Sequence, residues 1–157
     1  MTTTFAGYEI DDNLARINFA SVHAWLTTAY WSTGVSRPRV EQAAQHSSLV
    51  LGAYMGAQQA GYLRVVSDRT TFAWVADVFV DPAHRKKGLA KAMVQFALQH
   101  PQFQGIRQWV LMTLDAHPVY RQLGFDFHPN RHNLMQFRPP PVPGAGTSAL
   151  WPSPDQQ

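Results

Sequence analysis

The sequence predicts a mixed α/β (α+β) domain with a mostly antiparallel central sheet and helices on both faces. Apolar residues in the first third of the chain recur at helical spacing, whereas those between residues 48 and 80 form the short runs of an antiparallel meander. After the meander, a largely apolar helix, another strand and a short helix follow in turn. This order is typical of a sheet with helices packed against it.

Two helices are predicted before the meander. Phe19, Val22 and Leu26 recur at helical spacing and indicate a helix that ends before the sequence STG. A second, short helix is predicted at residues 37–47, because Pro38 stands in its first turn, where a missing amide hydrogen is tolerated.

Three strands are predicted next, at residues 48–55, 59–68 and 71–80, and the first two flank the sequence GAQQ like a hairpin. The segment from Gly88 to His100 is mainly apolar with a narrow polar stripe, which predicts a helix packed on a sheet. The polar stripe consists of Lys91, Gln95 and Gln99.

The last part of the domain is predicted to alternate strands with one short helix. Residues 107–114 are expected to form a buried strand, and residues 117–124 a short helix that ends at a glycine. Residues 125–129 and 133–137 are expected to form two closing strands.

The composition indicates a single compact domain. Of the 157 residues, 45% are hydrophobic and only 15% are charged, which argues against disorder. There is no cysteine, so disulfides, cysteine nucleophiles and thiolate metal sites are excluded. The chain shows neither a signal-peptide pattern at its start nor an apolar run near the ~20 residues of a membrane-spanning helix. We therefore expect a cytoplasmic protein with no membrane partner.

The charges and histidines argue against two further classes of protein. The net charge of +3 favours an anionic partner, but a nucleic-acid surface would cluster its cations on one face among aromatic residues. Most arginines of this chain are scattered singly, so no nucleic-acid partner is expected. The seven histidines include no pair at metal-ligand spacing beside a carboxylate, so no metal is expected.

The stretch DPAHRKKGLAKAM contains the dense cation group of the chain, Arg85, Lys86 and Lys87. Three interpretations compete: a solvated surface cluster, a nucleic-acid patch and a cradle for a phosphorylated cofactor. The context favours the cradle, because a strand, a proline turn and Gly88 lead directly into a helix. The first amides of a helix have no partner within it and the helix dipole adds positive charge, so anions bind there. Walker A and dinucleotide-binding fingerprints are not present.

The spacing Arg85-x-x-Gly88-x-Ala90 resembles the pyrophosphate-binding signature of the GNAT superfamily of N-acetyltransferases, Arg/Gln-x-x-Gly-x-Gly/Ala. A second similarity lies in LDAHPVYRQLGF, residues 114–125, which resembles the later strand, tyrosine-bearing short helix and Leu-Gly-Phe of that family. Lys86 departs from the pattern, because many relatives have glycine there, and this makes the turn less permissive.

The resemblance divides the chain into two parts. Residues 1–137 are assigned to a GNAT-like domain, and the proline-rich residues 138–157 to a flexible or loosely docked tail that Trp151 could anchor. Sheet edges and the tail are compatible with a homodimer.

The resemblance also implies a GNAT-like fold with a splayed strand pair, residues 75–80 and 109–114, between which the pantetheine arm of acetyl-CoA lies. Acetyl-CoA is implied as co-substrate and the amine of a small molecule or peptide as acceptor, joined directly without an acyl-enzyme. An amide of the first strand would polarise the thioester carbonyl. The residues expected to bind acetyl-CoA are Val78, Phe79, Val80, Arg85, Lys86, Lys87, Gly88, Leu89, Ala90, Lys91, Asp115 and His117.

The same resemblance assigns Tyr120 the role of the general acid that protonates the departing thiolate. An acceptor amine that resembles lysine has a pKa of about 10.4 and must lose a proton before it attacks. Asp77, in an otherwise apolar strand, is the leading candidate for the base, and the alternative is that its carboxylate is tied to the backbone or to an arginine. Asp115 and His117 could serve as base or as cofactor contacts.

The acceptor pocket is expected to come from loops away from the cofactor motifs, because loops on a rigid sheet usually carry specificity. Aromatic residues together with an arginine could accept an amine that bears a carboxylate, or an aromatic amine. The alternative for the aromatic residues before the second helix is that they cap the core. The candidate acceptor-binding residues are Tyr30, Trp31, Arg37, Asp68, Phe72 and Trp74.

The sequence therefore predicts an acetyl-CoA-dependent N-acetyltransferase. The alternative is a non-catalytic acyl-CoA-binding module that keeps the cradle without acceptor chemistry.

Overall fold

The computed structural model describes residues 1–137, 140 and 142–148. Its strands are β1 (Thr2–Phe5), β2 (Tyr8–Asp11), β3 (Leu49–Met55), β4 (Gln58–Ser67), β5 (Phe72–Val80) and β6 (Gln108–Val110). They form one six-stranded sheet in chain order. Neighbours from β1 to β5 are antiparallel, whereas β6 runs parallel to β5. The predicted mixed fold with a mostly antiparallel sheet is confirmed.

Helices cover both faces of this sheet, as predicted. One face carries α1 (Phe19–Leu26) and α2 (Arg37–Gln45), and the other carries α3 (Leu89–Gln99) and α4 (His117–Arg121).

Strand β3 shows how the two cores form. Leu51 belongs to the buried cluster that includes Met93 of α3, whereas its neighbour Val50 belongs to the cluster that includes Val22 of α1. Successive side chains of a strand point to opposite faces, so one apolar strand supplies both cores. Each such buried side chain stabilises the fold by about 1.5–3 kcal/mol.

Local signals set where the first helix begins. Asn18 precedes α1, and its side-chain oxygen accepts hydrogen bonds from the amides of Ala20 and Ser21. This contact satisfies two amides that lack a partner within the helix, and such a cap is typically worth about 1 kcal/mol.

The hairpin of β1 and β2 was not predicted from the sequence. All four residues of β1 are exposed, so the strand lacks the alternation of apolar and polar residues that reveals a half-buried strand. Ala6 and Gly7 connect the two strands with φ angles of 48° and 84°, the left-handed geometry that matches the twist of a tight hairpin.

The prediction for the end of the domain was wrong in two respects. Residues 107–114 were expected to form a buried strand, but only Gln108–Val110 does so, and it is at most half-buried. Residues 125–129 and 133–137 form no strand, and Met135 and Phe137 are exposed. The physical reason is the lack of a buried face, because residues 126–129 and 133–137 are all exposed and their pairing in a sheet would bury little apolar surface.

Part of the proline-rich tail lies against the loop between α1 and α2. The Ser36 amide donates a hydrogen bond to the Gly144 carbonyl at 3.0 Å, and the Thr147 amide donates to the Thr33 carbonyl at 2.7 Å. Trp151, the suggested anchor, lies outside the described residues. The domain boundary at residue 137 stays a prediction. None of the helices in the described part of the chain has the length and hydropathy needed to cross a bilayer.

Candidate active site

The sheet opens into a cleft where β5 and β6 separate. Their parallel pairing ends at Trp74 and Val110, but β5 continues to Val80. Residues 111–116 lie opposite this part of β5 without forming a strand. The predicted splayed pair is thus present, although only β5 keeps strand geometry along the gap. This cleft has a volume of about 720 Å³ and is lined mainly by residues 28–31, Arg64, residues 74–80, residues 111–113, Asp115 and Tyr120.

A β-bulge bends β5 beside the cleft. The register with β4 shifts between Tyr62 and Arg64, and Asp77 has a left-handed φ of 54°. Such a backbone conformation costs a non-glycine residue about 1–3 kcal/mol, so the surrounding contacts must hold it. One contact is an ion pair in which Arg64 Nε donates to Asp77 Oδ2 at 2.6 Å, and both side chains are largely buried. The carboxylate of Asp77 is thus tied to an arginine through one oxygen, and its role as a base stays a prediction.

At the end of β5, backbone groups of Val80 point into the cleft. The Asp81 amide donates to the Ala60 carbonyl of β4 at 2.9 Å. Because the N–H and C=O of one planar peptide point in opposite directions, the Val80 carbonyl faces away from β4. It accepts a hydrogen bond from Arg85 Nε at 2.9 Å, and Arg85 Cζ lies 5.1 Å from the centroid of the Phe79 ring.

The turn between β5 and α3 lies where the sequence predicts the diphosphate cradle. A short 3-10 helix, Pro82–His84, leads to Lys86 and Gly88, whose φ angles of 61° and 78° are both left-handed. Lys86 therefore adopts the geometry for which glycine is favoured, in agreement with its position in the signature. Helix α3 then begins at Leu89 with no side-chain cap, so its first amides are available to an anion.

A second cavity of about 230 Å³ lies over this turn. Lys86, Lys91 and the buried Leu89 line it, whereas Lys87 lines neither cavity. Arg85 and Ala90 line both cavities, so the cradle continues directly into the cleft. The structure thus brings the predicted diphosphate-binding residues together with the splayed strand.

Tyr120 lies on α4 and lines the cleft opposite β5. Burial raises the pKa of its hydroxyl to about 12, and the nearby Tyr30 and Asp115 add to the increase. The hydroxyl therefore stays protonated at neutral pH. Within the described residues it has no hydrogen-bond partner, so it can donate to a ligand in the cleft.

Tyr30 connects the two walls of the cleft. Its hydroxyl accepts a hydrogen bond from the Leu114 amide at 3.1 Å and donates one to Asp115 Oδ1 at 3.3 Å. This contact fixes the loop after α1 to the segment that follows β6. His117 begins α4, but its ring lies 5.2 Å from that of Phe127 and it is not among the residues that line either cavity.

The predicted acceptor residues fall into two groups of three. Tyr30, Trp31 and Trp74 line the cleft. The other three do not line either cavity; they are Arg37, Asp68 and Phe72.

Each member of the second group has another place in the fold. Arg37 Nε pairs with Glu41 Oε1 at 2.7 Å on the surface of α2. Phe72 begins β5 and pairs with Gln108 of β6. Asp68 accepts hydrogen bonds from the amides and the hydroxyl of the following turn, chiefly those of Thr71, which hold its pKa well below the usual range.

Arg64 is a charged residue of the cleft that sequence reasoning missed. The signal was present, because Arg64 interrupts an apolar strand just as Asp77 does. Pairing the two required the register across the bulge, which the sequence does not reveal. Buried Tyr62 lies near this pair, and burial, with a further contribution from Asp77, raises the pKa of its hydroxyl. In the described part of the chain, no group of three or more His, Asp or Glu side chains is arranged to hold a metal ion.

Comparison with known proteins gives consistent results. The family model for the acetyltransferase (GNAT) family matches residues 12–125. A protein from Xanthomonas campestris pv. campestris assigned to that family is 32% identical, with a TM-score of 0.81 over 90% of this chain and 97% of its own. No sequence among the curated proteins matches the chain.

Two more distant structures share the fold. A protein from Deinococcus radiodurans R1, assigned as an acetyltransferase, is 19% identical, with a TM-score of 0.67 over 88% of this chain and 93% of its own. A GNAT family acetyltransferase from Brucella melitensis, solved in complex with acetyl-CoA, is 20% identical, with a TM-score of 0.59 over 76% of this chain and 82% of its own.

Proposed function

The chain belongs to the GNAT family of acetyltransferases, and we propose that it transfers the acetyl group of acetyl-CoA to the primary amine of an acceptor by direct attack. The observation that carries this proposal is the continuity of two cavities. The cleft beside β5 and the cradle before α3 share Arg85 and Ala90.

The two cavities suit the two chemically different parts of acetyl-CoA. The diphosphate needs amide donors and positive charge, which the first turn of α3, Lys86 and Lys91 offer. The pantetheine arm carries amides of its own, and β5 beyond Trp74 offers it a strand edge with which β6 does not pair. The Brucella melitensis relative, whose structure contains acetyl-CoA, supports this fit.

Tyr120 is proposed as the general acid. Bound acetyl-CoA supplies the thioester whose carbonyl carbon the amine attacks, so that a carbon–nitrogen bond forms and the carbon–sulfur bond breaks. Tyr120 donates a hydrogen bond to the departing thiolate and protonates it, and the proton that nitrogen loses on forming the amide is returned to Tyr120 or to solvent. The available, protonated hydroxyl of Tyr120 supports this role.

Asp77 is proposed to accept the first proton of the ammonium, directly or through a water molecule. Its ion pair with Arg64 orients the carboxylate at the bulge through Oδ2. In the described part of the chain, Oδ1 has no hydrogen-bond partner and can face a water or the amine.

Calorimetry and thiol release test this function together. The purified chain should bind acetyl-CoA with a measurable heat and should release free thiol from it when an acceptor amine is present. Absence of binding would refute the proposal, and binding without thiol release for any amine in a broad panel would indicate a non-catalytic acyl-CoA-binding module.

A further inference from the structure

Resting on the proposed function, we infer that the acceptor is a cationic amine with an apolar, aromatic-sized body and without a carboxylate group. The charges and aromatic faces that line the cleft carry this inference. The candidate residues read from the sequence left two acceptors open, an amine with a carboxylate and an aromatic amine. The arrangement of the side chains favours the aromatic amine.

The arginines near the cleft are already engaged with groups of the protein. Arg64 pairs with Asp77 at 2.6 Å, and Arg85 donates to the Val80 carbonyl and lies over the Phe79 ring, at the cradle end. Arg37 pairs with Glu41 on the surface, away from both cavities. Arg85 has no carboxylate partner among the described residues, but it also lines the cradle, where the diphosphate of acetyl-CoA is proposed to lie. On the acceptor side of the cleft a carboxylate would therefore meet only the Arg64–Asp77 pair, which is costly because a charge leaves water uncompensated.

A positive charge on the acceptor, in contrast, would find in the cleft a carboxylate without an ion-pair partner among the described residues. Asp115 lines the cleft, and no cation of the described residues lies within ion-pair distance of its carboxylate. Its hydrogen bond comes from the neutral hydroxyl of Tyr30 at 3.3 Å. The Arg64–Asp77 pair is neutral as a whole, and Arg85 lies at the cradle end. The exposed carboxylate of Asp115 therefore makes the acceptor side of the cleft negative, which attracts an ammonium group.

Aromatic rings supply the surface for the rest of the acceptor. Tyr30 and Trp31 stand edge to face with their centroids 4.8 Å apart, and Trp74 lines the same cleft. Such rings pack against an apolar body and also attract a cation placed over their faces. The volume of about 720 Å³ lies within the range of small-molecule sites, so the pantetheine arm and a small acceptor can share it.

Matched pairs of acceptors test the inference. Tyramine and tyrosine differ only in the α-carboxylate, and so do phenethylamine and phenylalanine. We expect kcat/KM at saturating acetyl-CoA to be at least about tenfold higher for each amine than for its amino acid, because the carboxylate would be desolvated without a partner. Equal or better use of the amino acids would overturn the inference, and so would failure of all four compounds as acceptors.

Direct binding of acetyl-CoA, measured in the same preparation, distinguishes failure of the proposed function from failure of the inference about the acceptor. If acetyl-CoA does not bind, the proposed function fails and the inference falls with it. If acetyl-CoA binds and the amino acids are acetylated as well as the amines, only the inference about the acceptor fails.

The variant Asp115→Asn tests the residue that is proposed to attract the ammonium. It keeps an oxygen that can accept from Tyr30 but removes the negative charge, so the KM for tyramine should rise by roughly threefold to tenfold and the preference over tyrosine should narrow. Glu41→Gln removes one negative charge from the surface of α2, away from both cavities, and should change neither the KM for tyramine nor the preference for tyramine over tyrosine. An unchanged KM in Asp115→Asn, or a loss of its acetyl-CoA affinity, would overturn the assignment.

Discussion

The two ends of the proposed active site are built from the chain in different ways. The cradle is built mainly from one stretch, residues 80–91, to which α4 and the residue after it add Val119 and Gln122, and it works mainly through backbone amides and left-handed turns. The acceptor side is assembled from four separate segments, residues 28–31, Arg64, residues 74–77 and residues 111–115, and works through side chains. A contiguous site leaves a readable spacing in the sequence, whereas an assembled site leaves only isolated polar residues in apolar strands.

Left-handed residues illustrate this difference. Lys86 in the cradle and Asp77 in the bulge both have φ near 60°, although neither is glycine. The resemblance to the GNAT signature drew attention to Lys86, because it places this lysine where many relatives have glycine. The conformation of Asp77 depends on how β5 pairs with β4, and no local pattern indicates it.

The largest effect is expected at Tyr120, which lines the cleft. In Tyr120→Phe the ring still packs against α3, but the hydroxyl that is proposed to protonate the thiolate is lost. We expect kcat to fall by about 10² or more, a typical loss for a general acid, with little change in acetyl-CoA affinity. Since the pKa of this hydroxyl is raised to about 12, its own ionisation should not reduce wild-type activity below about pH 11.

Tyr54→Phe is the matched control for the loss of a hydroxyl. The hydroxyl of Tyr54 is buried without a partner in the described part of the chain, and Tyr54 lines neither cavity. Its removal should leave kcat unchanged. A kcat in Tyr120→Phe equal to that of Tyr54→Phe would refute the acid role.

A smaller effect is expected in the cradle, from Gly88→Ala. A side chain at φ 78° is strained by about 1–2 kcal/mol, and its Cβ would lie 3.3 Å from Cζ of Phe5. The new methyl group also occupies space beside the amides that are proposed to bind the diphosphate. We expect calorimetry to show acetyl-CoA affinity about tenfold weaker, with kcat at saturating acetyl-CoA much less affected.

Gly56→Ala separates backbone strain from loss of the cradle. Gly56 has a φ of 58°, and no atom lies within 4 Å of the position that its Cβ would take, in the hairpin between β3 and β4. Thermal unfolding should show a similar loss of stability in the two variants. If Gly56→Ala weakened acetyl-CoA binding as much as Gly88→Ala, the cradle would have no special role.

Most features encoded by a contiguous segment could be predicted from the sequence, whereas features assembled from distant segments could not. The meander and the helix after Gly88 could be predicted because short runs and a local signature encode them. Of the splayed pair, which the resemblance implied, β5 is a strand as expected, whereas the second strand ends at Val110. The hairpin of β1 and β2 could not, since its exposed first strand carries no hydrophobic alternation. Arg64 was missed because its partner Asp77 is thirteen residues away and meets it only across the bulge.

The smallest effect is expected at Asp68. The sequence predicted it as an acceptor contact because it lies in a turn between strands, but it lines neither cavity in the structure. Its carboxylate accepts hydrogen bonds from the turn before β5, and these lower its folded pKa below the unfolded value of about 3.9. The resulting stabilisation is present above the unfolded pKa and is lost as the pH falls through the folded one. Asp68→Asn should therefore unfold at a slightly lower temperature than wild type at pH 7, with the difference closing below about pH 4, and its KM for the acceptor should not change. A raised KM for the acceptor would show that Asp68 contributes to acceptor binding, and the acceptor side would then extend beyond the residues that line the cleft.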